Sequence, residues 1–97
     1  MDKYLYFVMG RPVRGEYVGG GTTALDPRIR ELPELMDMLE SALDPDVAAR
    51  TFADKDAAYT FAYQCNLESV WCRVFKWSQG ACEHDTQATD QFLDFDW

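Results

Sequence analysis

The segment Glu68–Ser78 (ESVWCRVFKWS) limits the possible folds of this chain more than any other. It is of strand length and rich in aromatic and β-branched residues, which favour strands. Successive side chains of a strand point to opposite sides of a sheet, so this one has two distinct faces. One face carries Val70, Cys72 and Val74, and the other carries Trp71, Arg73, Phe75 and Trp77. This is the most clearly predicted strand of the chain.

The remaining segments add strands and helices in alternation. We predict strands over Lys3–Met9 and Val47–Ala53, a loop or short hairpin around Glu16–Val18, and helices over Lys55–Cys65 and from Pro33 to about Leu43. Asp54 is expected to cap the helix that follows it, and Asn66 to end it. The predicted fold is one α+β domain over residues 1–97, with a three- or four-stranded, mostly antiparallel sheet and two helices on one face. An acidic C-terminal tail is expected over residues 80–97.

Composition sets the class of protein. An apolar content of 47% excludes a disordered chain. No run approaches the roughly 18 to 20 apolar residues that span a bilayer, and the N-terminus lacks the features of a signal peptide. Three cysteines without a disulfide framework spacing are typical of reduced thiols. We therefore expect a cytoplasmic protein.

The charge of −8 is unevenly distributed. Residues 31–46 contain six acidic residues, and residues 80–97 contain five, without a single Lys or Arg in either segment. The rest of the chain is slightly basic. A protein with such a charge repels nucleic acid and anionic membranes, and it is attracted to basic surfaces. We therefore expect a basic protein partner, with no direct contact to nucleic acid or membrane.

On a helix, the first acidic segment separates its charge from its apolar residues. Glu31, Glu34, Asp37 and Glu40 recur every three residues on one side, with Met38 among them. A charged outer face is ordinary for an amphipathic helix. This one, however, lacks the cations that normally alternate with carboxylates, and like charges destabilise a helix. The pattern therefore indicates a use in binding.

Three further patterns suggest chemistry, and each has a simpler interpretation. The glycine-rich Gly19–Thr23, near Arg11 and Arg14, resembles a phosphate-binding loop, but it lacks the Lys and the immediate helix of one. Cys65, Cys72, Cys82 and His84 have the chemistry of zinc ligands but not the usual paired spacing. His84 and Cys82 would suit acid–base or nucleophilic catalysis, although they lie in the charged tail. We expect a flexible turn, idle thiols and no enzyme activity.

Aromatic residues provide another possible contact. The face with Trp71 and Trp77 resembles a base-stacking platform, but the negative charge of the protein argues against nucleic acid. A core face or a protein interface is the better interpretation. Phe92, Phe95 and Trp97 lie between carboxylates, so they either return the tail to the sheet or enter a partner.

The acidic segments make this chain resemble a class of phage proteins. A small, acidic, cysteine-poor domain with carboxylates along a helix and a tail is similar to the DNA-mimic inhibitors, most of all the anti-CRISPR proteins that occupy the DNA groove of a CRISPR surveillance complex. The resemblance lies in charge pattern and size, over about a third of the chain. It implies a non-catalytic inhibitor without cofactor or metal, acting in a bacterial host cytoplasm, whose carboxylates replace phosphates on a basic groove.

The expected partner-binding residues follow from that resemblance and the charge pattern. They are Glu31, Glu34, Asp37, Met38, Glu40, Asp44, Asp46, Glu83, Asp85, Asp90, Asp94 and Asp96. The alternative is a general protein-interaction or regulatory module that binds through the aromatic strand and the tail.

Overall fold

Four strands and three α-helices make up the structure, a computed structural model that describes residues 3–13, 25–41 and 47–93. The strands are β1 (Lys3–Pro12), β2 (Ala48–Phe52), β3 (Leu67–Ser78) and β4 (Ala81–His84). The helices are α1 (Pro33–Ser41), α2 (Lys55–Cys65) and α3 (Thr86–Leu93), with a 3-10 turn at Ile29–Glu31. The strand order is β2-β1-β3-β4, with every neighbouring pair antiparallel. The predicted α+β class with a small antiparallel sheet is confirmed.

Strand β1 lies at the centre of the sheet, against β3 on one side and β2 on the other. Leu5 is opposite Phe75, and Val8 is opposite Cys72. The register between β1 and β3 shifts between Met9 and Arg11. Gly10 lies at this shift, where an added Cβ would come within 2.9 Å of the Leu67 Cβ atom. Only glycine allows so close an approach between the two strands without a rearrangement.

Each face of the sheet has its own core. The α2–α3 face is the one whose core is formed by Val8, Ala48, Ala58, Tyr59, Phe61, Ala62, Cys65, Cys72, Val74 and Phe92. The α1 face is the opposite one, with a core of Leu5, Phe7, Leu25, Ile29, Leu35, Ala49 and Phe75. Both faces of β3 are apolar, so both must be covered to remove them from water.

Two helices do lie on one face, but they are α2 and α3 rather than the predicted pair. The acidic helix α1 packs on the opposite face, through Leu35 and the Ile29 of the 3-10 turn. The alternation of side chains along β3 shows that the strand has two apolar faces. This alternation does not indicate which helix covers each face.

Helix α2 begins and ends as predicted. The Asp54 carboxylate accepts a hydrogen bond from the Asp56 backbone N–H at 3.4 Å. Asn66 has a left-handed conformation, with φ 47° and ψ 56°, and its N–H bonds the carbonyl oxygens of Ala62 and Tyr63. These are the capping roles that Asp and Asn commonly have at helix ends.

The predicted acidic tail is structured over most of its length. Gln79 and Gly80, both with positive φ, form a two-residue turn that leads from β3 into β4. Helix α3 follows, and its Phe92 is 1% exposed. The Tyr59 hydroxyl donates a hydrogen bond to the Phe92 carbonyl at 2.8 Å. Of the two possibilities for the tail aromatics, packing on the sheet is therefore the one observed for Phe92; Phe95 and Trp97 lie outside the described residues.

None of the helices in the described ranges has the length and apolar character needed to cross a membrane. The predicted hairpin around Glu16–Val18 and the end of the acidic helix beyond Ser41 also lie outside those ranges.

Candidate functional site

Three of the predicted carboxylates form an acidic edge, which we define as the exposed Glu31, Glu34 and Asp37. The 3-10 turn and α1 hold them in place because their opposite side is buried. Ile29 is inaccessible to solvent and Leu35 is 4% exposed. Glu34 lies in the first turn of α1, where a carboxylate interacts favourably with the helix dipole. The acidic edge thus belongs to a segment anchored on the core.

Two arginines precede the acidic edge. The Arg28 guanidinium lies 3.0 Å from the ring centroid of Trp77, and its Nε is 3.9 Å from a carboxylate oxygen of Asp26. Arg30 is exposed and directly precedes Glu31. The last turn of α1 contains no basic residue. Cations therefore lie next to the N-terminal end of the acidic edge, and none lies in the last turn of α1.

The predicted acidic residues of the C-terminal segment lie elsewhere. Glu83 on β4 and Asp90 on α3 are exposed on the side of the α2–α3 face. Asp85 has a role within the fold: its carboxylate accepts a hydrogen bond from the Ala88 N–H at 2.9 Å and caps α3. Among the acidic residues that the structure describes, those of the two segments therefore do not form one surface.

Other predicted partner-binding residues lie beyond what the structure describes. Met38 and Glu40 belong to α1, but their side chains are not described. Asp44, Asp46, Asp94 and Asp96 lie outside the described ranges, as do Arg14 and the glycine-rich Gly19–Thr23.

The aromatic side of β3 is mainly a core surface. Phe75 is 5% exposed. Trp71 packs edge-on against Phe7, with ring centroids 5.0 Å apart, and Trp77 lies beneath the Arg28 guanidinium. This arrangement favours the interpretation of the strand as core, and it leaves little aromatic surface for a flat protein interface.

The α1 face also has an opening. A groove of about 660 Å³ lies between the start of α1 and the sheet. We call it the β3 groove; it is lined by Leu32, Pro33, Glu34, Leu35, Trp71, Arg73, Phe75 and His84. Sequence reasoning missed this groove. The available signal was the alternation of β4, which places His84 on the same side of the sheet as Phe75.

His84 is held by a buried threonine. Its Nε2 atom is 3.1 Å from the Thr89 hydroxyl oxygen, and its ring centroid is 5.6 Å from that of Phe75. The same hydroxyl accepts a hydrogen bond from the Val74 N–H at 2.9 Å and donates to the Asp85 carbonyl at 2.8 Å. The imidazole is thus oriented by both β3 and α3.

The cysteines are poor candidates for a nucleophile or for metal ligands. Cys65 and Cys72 are buried on the α2–α3 face. Burial raises the pKa of the Cys72 thiol to about 12, and it also raises the pKa of Cys82. Thiols of this kind stay protonated near neutral pH, whereas nucleophiles and metal ligands are thiolates. Within the described part of the chain, no group of three or more His, Cys, Asp or Glu side chains is arranged to hold a metal ion.

Comparison of this chain with protein-family models, with curated proteins and with solved structures gives no match. The acidic edge and the β3 groove are therefore the features from which a function is inferred.

Proposed function

We propose that this protein is a non-catalytic inhibitor that binds the basic, nucleic-acid-binding surface of another protein through its acidic edge. One observation carries the proposal: Glu31, Glu34 and Asp37 are exposed along a helical segment whose other side is buried in the core. Because the backbone of this segment is already ordered, binding immobilises only the carboxylate side chains and not the chain that carries them.

The spacing of these carboxylates suits a phosphate mimic. Glu34 and Asp37, three residues apart on α1, are separated by about 4.5 Å along the helix axis, and Glu31 lies in the 3-10 turn before the extended Leu32. Phosphates along one strand of duplex DNA are separated by about 3.4 Å along the axis. A row of Lys and Arg side chains that binds one array can therefore reach the other, because both side chains are long and flexible.

The charge of the whole protein supports the same partner class. A net charge of −8 repels nucleic acid and increases the rate of encounter with a basic surface. The inhibitor would act by occupancy: while it is bound, nucleic acid cannot reach the Lys and Arg residues beneath it. A CRISPR surveillance complex is the specific partner that the resemblance to anti-CRISPR proteins implies.

The alternative, binding through the aromatic strand and the tail, has less support. Phe75 and Phe92 are both buried, so neither is available to a partner without local unfolding.

Capture from a bacterial lysate tests the proposal. The immobilised protein is expected to retain a nucleic-acid-binding protein at low salt and to release it at high salt, because contacts between exposed charges are screened by ions. Added duplex DNA should displace the captured protein, which mass spectrometry then identifies. Capture that is indifferent to both salt and DNA would contradict the proposal.

A further inference from the structure

The β3 groove has the size and lining of a small-molecule site. Its volume of about 660 Å³ lies within the range of about 300 to 1,000 Å³ that is typical of ligand sites. The partly exposed Leu32 and Trp71 provide apolar surface, with the buried Leu35 and Phe75 behind them, and Arg73 and His84 are polar groups beside it. Neither the acidic edge nor its partner accounts for this combination.

Arg73 is held in place before any ligand binds. Its Nη1 donates a hydrogen bond to the Cys72 carbonyl at 2.7 Å, and its guanidinium lies 4.4 Å from the ring centroid of Trp71. A guanidinium has five N–H donors in one plane, so this single hydrogen bond leaves donors for a ligand. Planar donors of this kind match the two oxygens of a carboxylate.

The hydrogen bonds of Thr89 determine how His84 presents its ring. A hydroxyl group has one proton, and that of Thr89 is assigned to the Asp85 carbonyl at 2.8 Å rather than to the Val74 carbonyl at 3.4 Å. The hydroxyl oxygen then accepts from His84, so the Nε2 atom of the neutral ring carries the proton. The Nδ1 atom is left with a lone pair.

We propose that the β3 groove binds a planar aromatic monocarboxylate. The ligand ring packs between Leu32, which directly precedes α1, and the Trp71 side chain of β3. Its carboxylate is bound by Arg73, beside His84. Glu34 also lines the groove and repels anions, so the ligand carboxylate must lie at Arg73, and a second negative charge is disfavoured. The inference does not rest on the proposed inhibitor function, although Glu34 belongs to both surfaces.

Titration with 2-naphthoate, followed by two-dimensional NMR, tests the assignment. We expect the Trp71 indole N–H and the His84 ring signals to shift with one saturable curve. The neutral analogue 2-naphthylmethanol, which has the same ring system, should bind about tenfold or more weakly, because it cannot form charge-assisted hydrogen bonds with Arg73.

Two arginine variants separate the groove from a general charge effect. Arg73→Gln should weaken 2-naphthoate binding about tenfold or more and leave 2-naphthylmethanol unchanged. Arg50→Gln is the matched control, because this substitution removes the same charge at a different place. Arg50 is exposed on β2, with its guanidinium 5.3 Å from the centroid of the Phe52 ring. The Arg50→Gln variant should bind both compounds as the parent protein does.

Three results would overturn the inference. They are equal affinity for the acid and the alcohol, unchanged affinity of Arg73→Gln for the acid, and absence of saturable shifts at Trp71 and His84. Equal affinity would mean that the groove is an apolar surface without selectivity for an anion.

Discussion

The Thr89 hydroxyl is inserted into the hydrogen-bond ladder between β3 and the residue that follows β4. The Asp85 N–H donates to the Val74 carbonyl at 2.9 Å, as in a regular antiparallel pair. A regular pair would also have a direct hydrogen bond from the Val74 N–H to the Asp85 carbonyl. Here a relay replaces it: the Val74 N–H donates to the Thr89 hydroxyl, and that hydroxyl donates to the Asp85 carbonyl. Thr89 is 3% exposed, so water cannot easily replace it.

Replacing Thr89 with Val removes this relay while keeping the shape of the side chain. The Val74 N–H is then buried without an acceptor, which costs about 1–3 kcal/mol. The Asp85 carbonyl retains its hydrogen bond from the Thr89 backbone N–H at 2.9 Å. The additional buried methyl group returns about 0.8 kcal/mol. We therefore expect a net loss of about 0.2–2 kcal/mol, centred near 1 kcal/mol, and each kcal/mol lowers the melting temperature of a domain of this size by roughly 4–8 °C.

Urea unfolding measured by tryptophan fluorescence gives the change in the free energy of unfolding, and amide exchange gives the protection of the Val74 N–H. Thr60→Val is the matched control. The Thr60 hydroxyl donates to the Asp56 carbonyl at 2.8 Å but is exposed, so its loss should change stability by less than about 0.5 kcal/mol. Equal stability of Thr89→Val and the parent protein, with the Val74 amide equally protected, would refute the relay.

Two other perturbations test the packing. Gly10→Ala should destabilise the protein by about 1–3 kcal/mol, because the new methyl group meets the Cβ and Cδ1 atoms of Leu67. Leu67→Gly removes both atoms and should reduce that penalty, so a double-mutant cycle in urea that gives additive effects would contradict the clash. Stability should also fall as the pH rises above about 9. Burial raises the pKa of the Cys72 thiol to about 12, so the unfolded chain loses this proton first. The contribution of the protonated Cys72 thiol to the free energy of unfolding is therefore fully present below the pKa of this thiol in the unfolded chain, and it is lost as the pH rises towards 12. In Cys72→Ala, the free energy of unfolding should therefore decline less steeply with pH in this range. An equally steep decline in the variant would refute the assignment of this pH dependence to Cys72.

Local signals account for the elements that the sequence predicted well. Helix α2 has a cap at Asp54, an apolar spacing that ends at Cys65, and a left-handed Asn66 immediately after it. Strand β3 has alternating faces and strong β-formers. In both, the local preference agrees with the tertiary environment, so the predicted boundaries lie within a residue of the observed ones.

The prediction of an acidic tail over residues 80–97 did not include α3, because the acidic residues of this segment drew attention away from the helical spacing of its apolar residues. Asp85 as a cap, followed by Thr89 and Phe92 on one side of a helix, was the signal that would have identified α3. The turn before β4 was harder to recognise, because Gln79 has a φ of 52°, a conformation more typical of Gly or Asn. The β3 groove requires contacts between residues about 40 positions apart, which no local pattern provides.

The most direct test of the central claim is a comparison of two triple variants in competition with DNA for the captured partner. One variant neutralises the acidic edge (Glu31→Gln, Glu34→Gln, Asp37→Asn), and the other removes three exposed charges from the α2–α3 side (Asp56→Asn, Glu83→Gln, Asp90→Asn). Both lose the same charge, so a general effect of net charge would weaken both equally. We predict that the first variant loses about tenfold or more in affinity and no longer displaces DNA, whereas the second binds nearly as tightly as the parent. Equal losses in the two variants, or a greater loss in the second, would contradict the assignment of partner binding to the acidic edge.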